Sequence, residues 1–177
     1  MLRYAKGDVA AFDTLFNRHN GGVYRFFNRQ KNASSHAEEL AQEVWASVIN
    51  AAEHYEVTAK FNTWLYRIAH NRLIDHVRAI GARLEVCYGD PPEDVEDVAI
   101  PEYQIPERMA ERQQLAEEML RAISELPPEQ AEVFLMHQEG DLTLEEMAAA
   151  IGVGRETVKS RLRYALGKLR SRLSTWR

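Results

Sequence analysis

Hydrophobic residues recur at helical spacing along most of the chain, and no segment shows the strict alternation of a half-buried β-strand. The pattern predicts helices over residues 36–54, 61–80, 106–126 and 129–138, with a loop over residues 55–60. Residues 10–27 are predicted to form two helical stretches or one kinked helix, because Asn20-Gly21-Gly22 interrupts the apolar stripe. The chain is therefore predicted to be all-α.

The clearest local pattern lies between Thr143 and Leu173, and it predicts two helices joined by a tight turn. Thr143 can cap the first helix, and Glu146 can reach back to the Thr143 amide, which makes a capping box. Gly152 and Gly154 break that helix. The second helix starts near Arg155, and its predicted buried stripe is Val158, Leu162, Ala165, Leu166 and Leu169.

Two short helices around a glycine turn, with a basic second helix, are typical of a DNA-binding helix-turn-helix. The alternative is an ordinary helical hairpin with a solvated basic face. The charge is strongly segregated, which favours DNA. Residues 155–177 hold eight Lys/Arg and one acidic residue, whereas residues 108–146 hold three Arg and ten Asp/Glu.

The net charge of −5 averages unlike segments. Residues 1–84 carry +3, residues 85–107 carry −8 with four of the six prolines, and residues 108–177 are neutral. We therefore predict two small helical domains, 1–84 and 108–177, joined by a flexible acidic linker over 85–107. No apolar run reaches the length of a membrane span, no signal-peptide core opens the chain, and Cys87 is alone. These features favour a cytoplasmic protein without stable membrane insertion, metal site or cofactor.

Two blocks of sequence carry a resemblance to a known family. The first contains AEELAQEVW (37–45) and FNTWLYRIAHN (61–71), followed by Asp75 and Arg78. The second contains Leu126-Pro127, then Glu146-Met147-Ala148, Gly152, and ETVKSRL (156–162). In this order and spacing they resemble regions two and four of bacterial RNA polymerase sigma factors of the sigma-70 family, extracytoplasmic-function type. Ala131 and Gly154 depart from the family pattern, in which an arginine and a serine cap are common.

The resemblance implies a protein that binds core RNA polymerase and directs it to promoter DNA. Its first domain would recognise and help to melt the minus-ten element, and its second would recognise the minus-thirty-five element. Such a protein catalyses no bond chemistry, and an anti-sigma factor is its expected inhibitor. The alternative is a helix-turn-helix activator of the response-regulator output type, which leaves the block 64–71 unexplained.

The candidate site for the minus-thirty-five element lies on the second helix of the pair. Lys159, Ser160 and Arg163 are predicted to face the major groove, where long donors read guanine. Arg155, Thr157 and Arg161 are predicted to contact phosphates, which position the protein without specifying sequence. Tyr164 completes the set.

The candidate minus-ten site comprises Lys60, Phe61, Tyr66, Asn71, Asp75 and Arg78. Trp64 falls on the apolar stripe and is predicted to be mostly core, whereas Tyr66 falls off it and could stack on an unpaired base. The resemblance places a flipped promoter base near Lys60 and Phe61. Asp75 could instead pair with Arg72 or orient Arg78.

The helix over residues 36–54 has an acidic polar face, which disfavours DNA as its partner. The resemblance places core polymerase there, against Glu39, Gln42 and Glu43, while plain solvation is the alternative. No motif for an enzyme appears, because the histidines lack metal-site spacing and no phosphate loop is present.

Overall fold

A computed structural model describes residues 1–86 and 107–174, with side-chain surroundings for 1–82 and 113–174. The described residues form α1 (Val9–Asn28), α2 (Ala37–Asn50), α3 (Phe61–Val86), α4 (Glu107–Ser124), α5 (Pro128–Gly140), α6 (Leu144–Ile151) and α7 (Arg155–Leu173). Short 3₁₀ turns occupy Tyr4–Lys6, Ser34–His36 and Ala52–His54. These ranges contain no strand, which confirms the all-α prediction. No described helix is both long and apolar enough to cross a membrane.

The predicted linker lies outside the described residues, apart from the end of α3 and the first residue of α4. Helix α3 continues to Val86, beyond the predicted end at residue 80. Helix α2 ends at Asn50, and a 3₁₀ turn follows where the sequence pattern predicted more α-helix.

Helix α1 runs unbroken through Asn20-Gly21-Gly22, so the glycines do not divide it. Asp8 caps its start by accepting a hydrogen bond from the Ala11 amide at 3.2 Å. A Cβ atom on Gly22 would lie 3.0 Å from the Glu139 carbonyl oxygen and 3.1 Å from the Tyr66 hydroxyl. Gly22 therefore permits close packing between α1 and the second half of the chain.

The first half is a bundle of α1, α2 and α3. The inner face of α2 buries residues at helical spacing, among them Leu40, Val44 and Val48. Trp45 packs edge-on against Phe12, with ring centroids 5.9 Å apart, and donates a hydrogen bond from Nε1 to Asn20 Oδ1 at 2.9 Å. Its polar atom is thus satisfied inside a largely apolar contact.

Helix α5 is the central element, and it joins the two halves. Every residue from Ala131 to Met136 is buried, because α1, α3, α6 and α7 all pack against this helix. The buried apolar residues of both halves form one continuous core. We call the surface where α5 and α6 meet α1 and α3 the seam. The hydrophobic pattern alone did not predict it.

The helix-turn-helix forms as the sequence predicts. The Glu146 amide donates to Thr143 Oγ1 at 3.3 Å, and the Thr143 amide donates to Glu146 Oε2 at 2.9 Å, which confirms the capping box. Gly152 ends α6 with φ +70°, a left-handed conformation that suits glycine. The stripe predicted for α7 was wrong at Leu166, which is 44% exposed.

Tyr66 provides a stability test of the seam. Its ring is 1% exposed and packs edge-on against Phe26, but its hydroxyl has no hydrogen-bond partner among the described residues. Removing an unsatisfied buried hydroxyl should not destabilise the fold, so we expect Tyr66→Phe to keep or raise the free energy of unfolding, by up to about 1 kcal/mol. Tyr66→Ala should instead lose about 3–5 kcal/mol. Denaturant titration measures both, and a marked loss in Tyr66→Phe would contradict this account.

Candidate nucleic-acid interface

Helix α7 presents most of the predicted minus-thirty-five residues to solvent. Val158, Ala165 and Leu169 are buried against the rest of the second half, which fixes the rotation of the helix about its axis. Lys159 and Arg163 are fully on the exposed side, whereas Arg161 is half-buried at its flank. The Arg163 guanidinium lies 5.1 Å from the centroid of the exposed Tyr164 ring. The structure thus separates an outward-facing donor from a flanking one.

The start of α7 carries a small network of ion pairs. Arg155 pairs with Glu145 of α6 and, at 2.9 Å, with Glu156, while Lys159 lies 3.3 Å from the other oxygen of Glu156. The hydrogen bond from Arg155 lowers the pKa of the Glu145 carboxyl. Ser160 donates from its hydroxyl to the Thr157 carbonyl at 3.0 Å. The ion pairs tie α6 to α7 while Arg155, Glu156 and Lys159 stay exposed, whereas Ser160 is half-buried.

The predicted minus-ten residues Asn71, Asp75 and Arg78 share one exposed face of α3, as their spacing requires. Arg67, one turn earlier on the same face, is also exposed, although it is not among the residues predicted for the site. The spacing of four residues between Arg67 and Asn71 places them on one helix face, and this spacing could have predicted Arg67 as part of the site. Arg72 donates to Ser47 Oγ at 3.1 Å rather than pairing with Asp75.

The expectation that Tyr66 faces outward was wrong. The second half of the chain covers this side of α3, and a Cβ atom on Gly140 would lie 2.8 Å from the Tyr66 ring. Burial raises the pKa of the Tyr66 hydroxyl. Trp64, which is predicted to be mostly core, is partly buried and packs against the core. Its ring also contacts Tyr55, with ring centroids 4.8 Å apart. Of the two rings, Tyr66 is therefore the buried one and Trp64 is the more accessible one.

Lys60 and Phe61 lie at the start of α3, beside the helix-turn-helix. The Lys60 Nζ atom pairs with Glu146 Oε1 at 2.9 Å, and this contact raises the pKa of Lys60. The hydrogen bond from the Thr143 amide lowers the pKa of Glu146, and the hydrogen bond from Lys60 lowers it further. The Phe61 ring is partly buried, 5.3 Å from the His19 ring. Lys60 and Arg155 thus pair with adjacent residues of α6, Glu146 and Glu145.

The acidic face of α2 is exposed, as predicted for Glu39, Gln42 and Glu43. Gln42 also borders a shallow groove between α1 and α2, where Tyr24 and Ile49 expose apolar surface. An acidic rim beside an apolar groove can offer a protein partner both charge and hydrophobic contact.

Comparison with protein families finds two matches in chain order. The sigma-70 region 2 family matches residues 15–83, and the sigma-70 region 4 family matches residues 122–171. The chain is 35% identical over 175 residues to the ECF RNA polymerase sigma factor SigE of Mycolicibacterium smegmatis, covering 96% of this chain and 65% of that protein. It is 35% identical over 170 residues to the ECF RNA polymerase sigma factor RpoE of Cereibacter sphaeroides, covering 94% of this chain and 88% of that protein.

Two solved structures share the fold. The sigma factor RpoE from Bartonella quintana, in complex with the anti-sigma factor NepR, matches with a TM-score of 0.73 at 21% identity, covering 94% of this chain and 99% of that one. CnrH, in complex with the cytosolic domain of CnrY, matches with a TM-score of 0.65 at 19% identity, covering 98% of this chain and 94% of that one. Both likenesses span both halves of the chain.

The two glycines of the turn give a matched test of how α7 is positioned. Gly154 immediately precedes α7, its φ is −69°, and it provides no side-chain cap. The nearest atom to a Cβ added there would be Thr157 Oγ1, at 3.8 Å. Gly154→Ser should therefore stabilise the fold by roughly 0.5–1 kcal/mol, because it adds a cap and restricts the unfolded chain. Gly152→Ser should destabilise it, because φ is +70° there. Thermal unfolding of both variants measures the difference, and equal effects would contradict the turn geometry.

Proposed function

Because this chain belongs to the extracytoplasmic-function sigma factors of the sigma-70 family, we propose that it binds core RNA polymerase and directs it to specific promoters. The observation that carries the proposal is the presence, in one chain, of an exposed basic recognition helix and an exposed polar stripe on α3. A response-regulator output domain would account for the first surface alone, and that alternative is not favoured. In vitro transcription with core enzyme, read by mapping start sites on genomic DNA, tests the proposal directly.

The second half supplies contact with the duplex minus-thirty-five element through α7. Arg163, Lys159 and Ser160 are proposed to reach base edges in the major groove. Arg155, Thr157 and Arg161 are proposed to contact phosphates, and Tyr164 lies beside Arg163 to support its orientation. The long, exposed donors favour this assignment, because they extend from the side of α7 opposite its buried stripe.

The first half supplies contact with the minus-ten element through α3 and the residues before it. Asn71, Asp75 and Arg78, together with Arg67, form a continuous polar stripe along which a single strand can be held. Trp64 replaces Tyr66 as the proposed stacking residue near the start of that stripe, because it is the accessible ring of the two. Lys60 and Phe61 are proposed to border a flipped base.

The protein acts through binding rather than catalysis, and it works in the cytoplasm beside the polymerase. Core polymerase is proposed to contact Glu39, Gln42 and Glu43 on α2. An anti-sigma factor is its proposed inhibitor, since both structural relatives were solved in complexes, one with the anti-sigma factor NepR and one with CnrY.

Arg163 and Arg161 separate base recognition from phosphate contact. With holoenzyme, Arg163→Ala should cost about 1–3 kcal/mol on a matched upstream element and relax specificity at one or two base positions. Arg161→Ala should weaken binding to all sequences alike and lower the salt slope by about one. Arg170→Ala, on the same face two turns further along α7, is the control. An altered base profile for Arg161→Ala and an unchanged one for Arg163→Ala would reverse the assignment.

Replacing Glu39, Gln42 and Glu43 together by alanine should weaken binding to core polymerase by about tenfold, because the proposed interface loses its acidic rim. All three side chains are exposed, so helix content should not change. Equilibrium binding to core enzyme measures the effect. Glu53→Ala/Glu56→Ala, which removes two exposed acidic side chains outside α2, is the control. Equal affinities for wild type and the triple variant would assign this face to solvent.

A further inference from the structure

Two histidines from different elements of the first half lie with their side chains in contact. His36 ends the 3₁₀ turn before α2, and His76 lies on α3. Their ring centroids are 4.8 Å apart, and the ring planes are inclined by 55°. The spacing of histidines along the sequence predicts no metal site, because these two residues are far apart in the chain and only the fold brings them together.

One ring nitrogen of this pair has no partner. His76 Nε2 is buried, and no group among the described residues forms a hydrogen bond with it. Most buried polar atoms are paired, because leaving one unpaired costs free energy. The His36 side chain beside it is exposed, so a change of its rotamer can admit a ligand to this nitrogen while the core stays in place.

The other histidine is oriented by a neighbouring hydroxyl group. Ser35 Oγ lies 2.9 Å from His36 Nδ1. When Nδ1 carries the proton and donates it to this oxygen, the lone pair of His36 Nε2 is free to bind a metal ion. Metal-binding histidines usually make such a hydrogen bond through the ring nitrogen that does not touch the metal. The pair therefore offers two imidazole nitrogens as ligands.

The distance between the rings fits two imidazoles bound to one ion. An imidazole nitrogen binds Zn²⁺ at about 2.0–2.1 Å, which places the ring centroid about 3.2 Å from the ion. Two such ligands at an angle of about 90–110° have ring centroids about 4.5–5.2 Å apart. The observed separation of 4.8 Å lies within this range. Packed rings without a metal adopt similar separations, so the buried, unpartnered nitrogen of His76 is the observation that indicates a ligand.

We propose that His36 and His76 bind one divalent transition-metal ion through their Nε2 atoms. Zn²⁺ and Cu²⁺ accept imidazole ligands, whereas Mg²⁺ and Ca²⁺ prefer oxygen. No group of three or more His, Cys, Asp or Glu side chains suited to a metal occurs in the part of the chain that the structure describes, so water completes the coordination. The bound ion links the turn before α2 to α3. This inference goes beyond the proposed function and requires none of its DNA or polymerase surfaces.

Titration with Cu²⁺ tests the site, because Cu²⁺ binds nitrogen ligands more tightly than the other divalent first-row ions. The full chain is used with Cys87→Ser, so that the thiol cannot contribute a ligand. We expect one tightly bound Cu²⁺ per chain, with nitrogen hyperfine splitting in its electron paramagnetic resonance spectrum. At a free concentration of about a hundred times Kd, the ion should raise Tm by about 5 °C or more. Mg²⁺ should leave Tm unchanged.

Three variants in the same background assign the ligands. His36→Ala and His76→Gln should each lower the Cu²⁺ affinity by about tenfold or more, because two ligands held together bind far more tightly than one. His54→Ala removes an exposed histidine from another 3₁₀ turn and should leave the affinity unchanged. Circular dichroism establishes that the helices persist. Because His36 is exposed, His36→Ala decides the test even if His76→Gln is destabilised.

Two results would overturn the assignment. The first is an equal Cu²⁺ affinity for the Cys87→Ser protein and its His36→Ala variant, which would show that the pair is only a ring contact. The second is an equal loss of affinity in His54→Ala and His36→Ala, which would show that single histidines bind the ion at scattered positions.

Discussion

The rest of the structure depends on the burial of the middle of α5, residues 131–136, on every side. A helix in that position must satisfy its own charged side chains inside the molecule, since taking away the partner of a buried charge costs about 3–5 kcal/mol. Glu132 and Glu139 cannot reach water freely, and the groups that pair with them are His70 on α3 and two arginines on α1. The two halves must therefore pack in the position that brings these partners to Glu132 and Glu139.

The same constraint determines which side of α3 remains available for nucleic acid. Because α5 and α6 cover the side with Tyr66 and Ala69, the opposite side with Asn71, Asp75 and Arg78 faces solvent. Of the two aromatic residues, Tyr66 is then buried and Trp64 stays accessible. On α7, packing against α4, α5 and α6 uses the apolar stripe and leaves the basic side outward. Both proposed DNA surfaces are thus the helix faces that the core does not bury.

The charge segregation along the chain also gains an explanation from the seam. Residues 108–146 are strongly acidic and residues 1–84 are net basic. Three of those acidic residues, Glu132, Glu139 and Glu146, pair across the seam with groups of the first half. Part of the acidic charge of residues 108–146 is therefore used in contacts inside the molecule.

The sequence by itself determined the helices, the capping box at Thr143 and Glu146, the glycine turn and the two family blocks, because each depends on residues close together in the chain. Periodicity also placed the exposed faces of α2 and most of α7 correctly. The burial of Tyr66, the packing role of Gly22 and the pairing of Glu139 with Arg25 and Arg29 were decided by the tertiary structure alone. The physical reason is that helical spacing shows only that a helix has an apolar side. Which neighbour covers its remaining surface depends on contacts more than a hundred residues apart, as between Arg25 and Glu139.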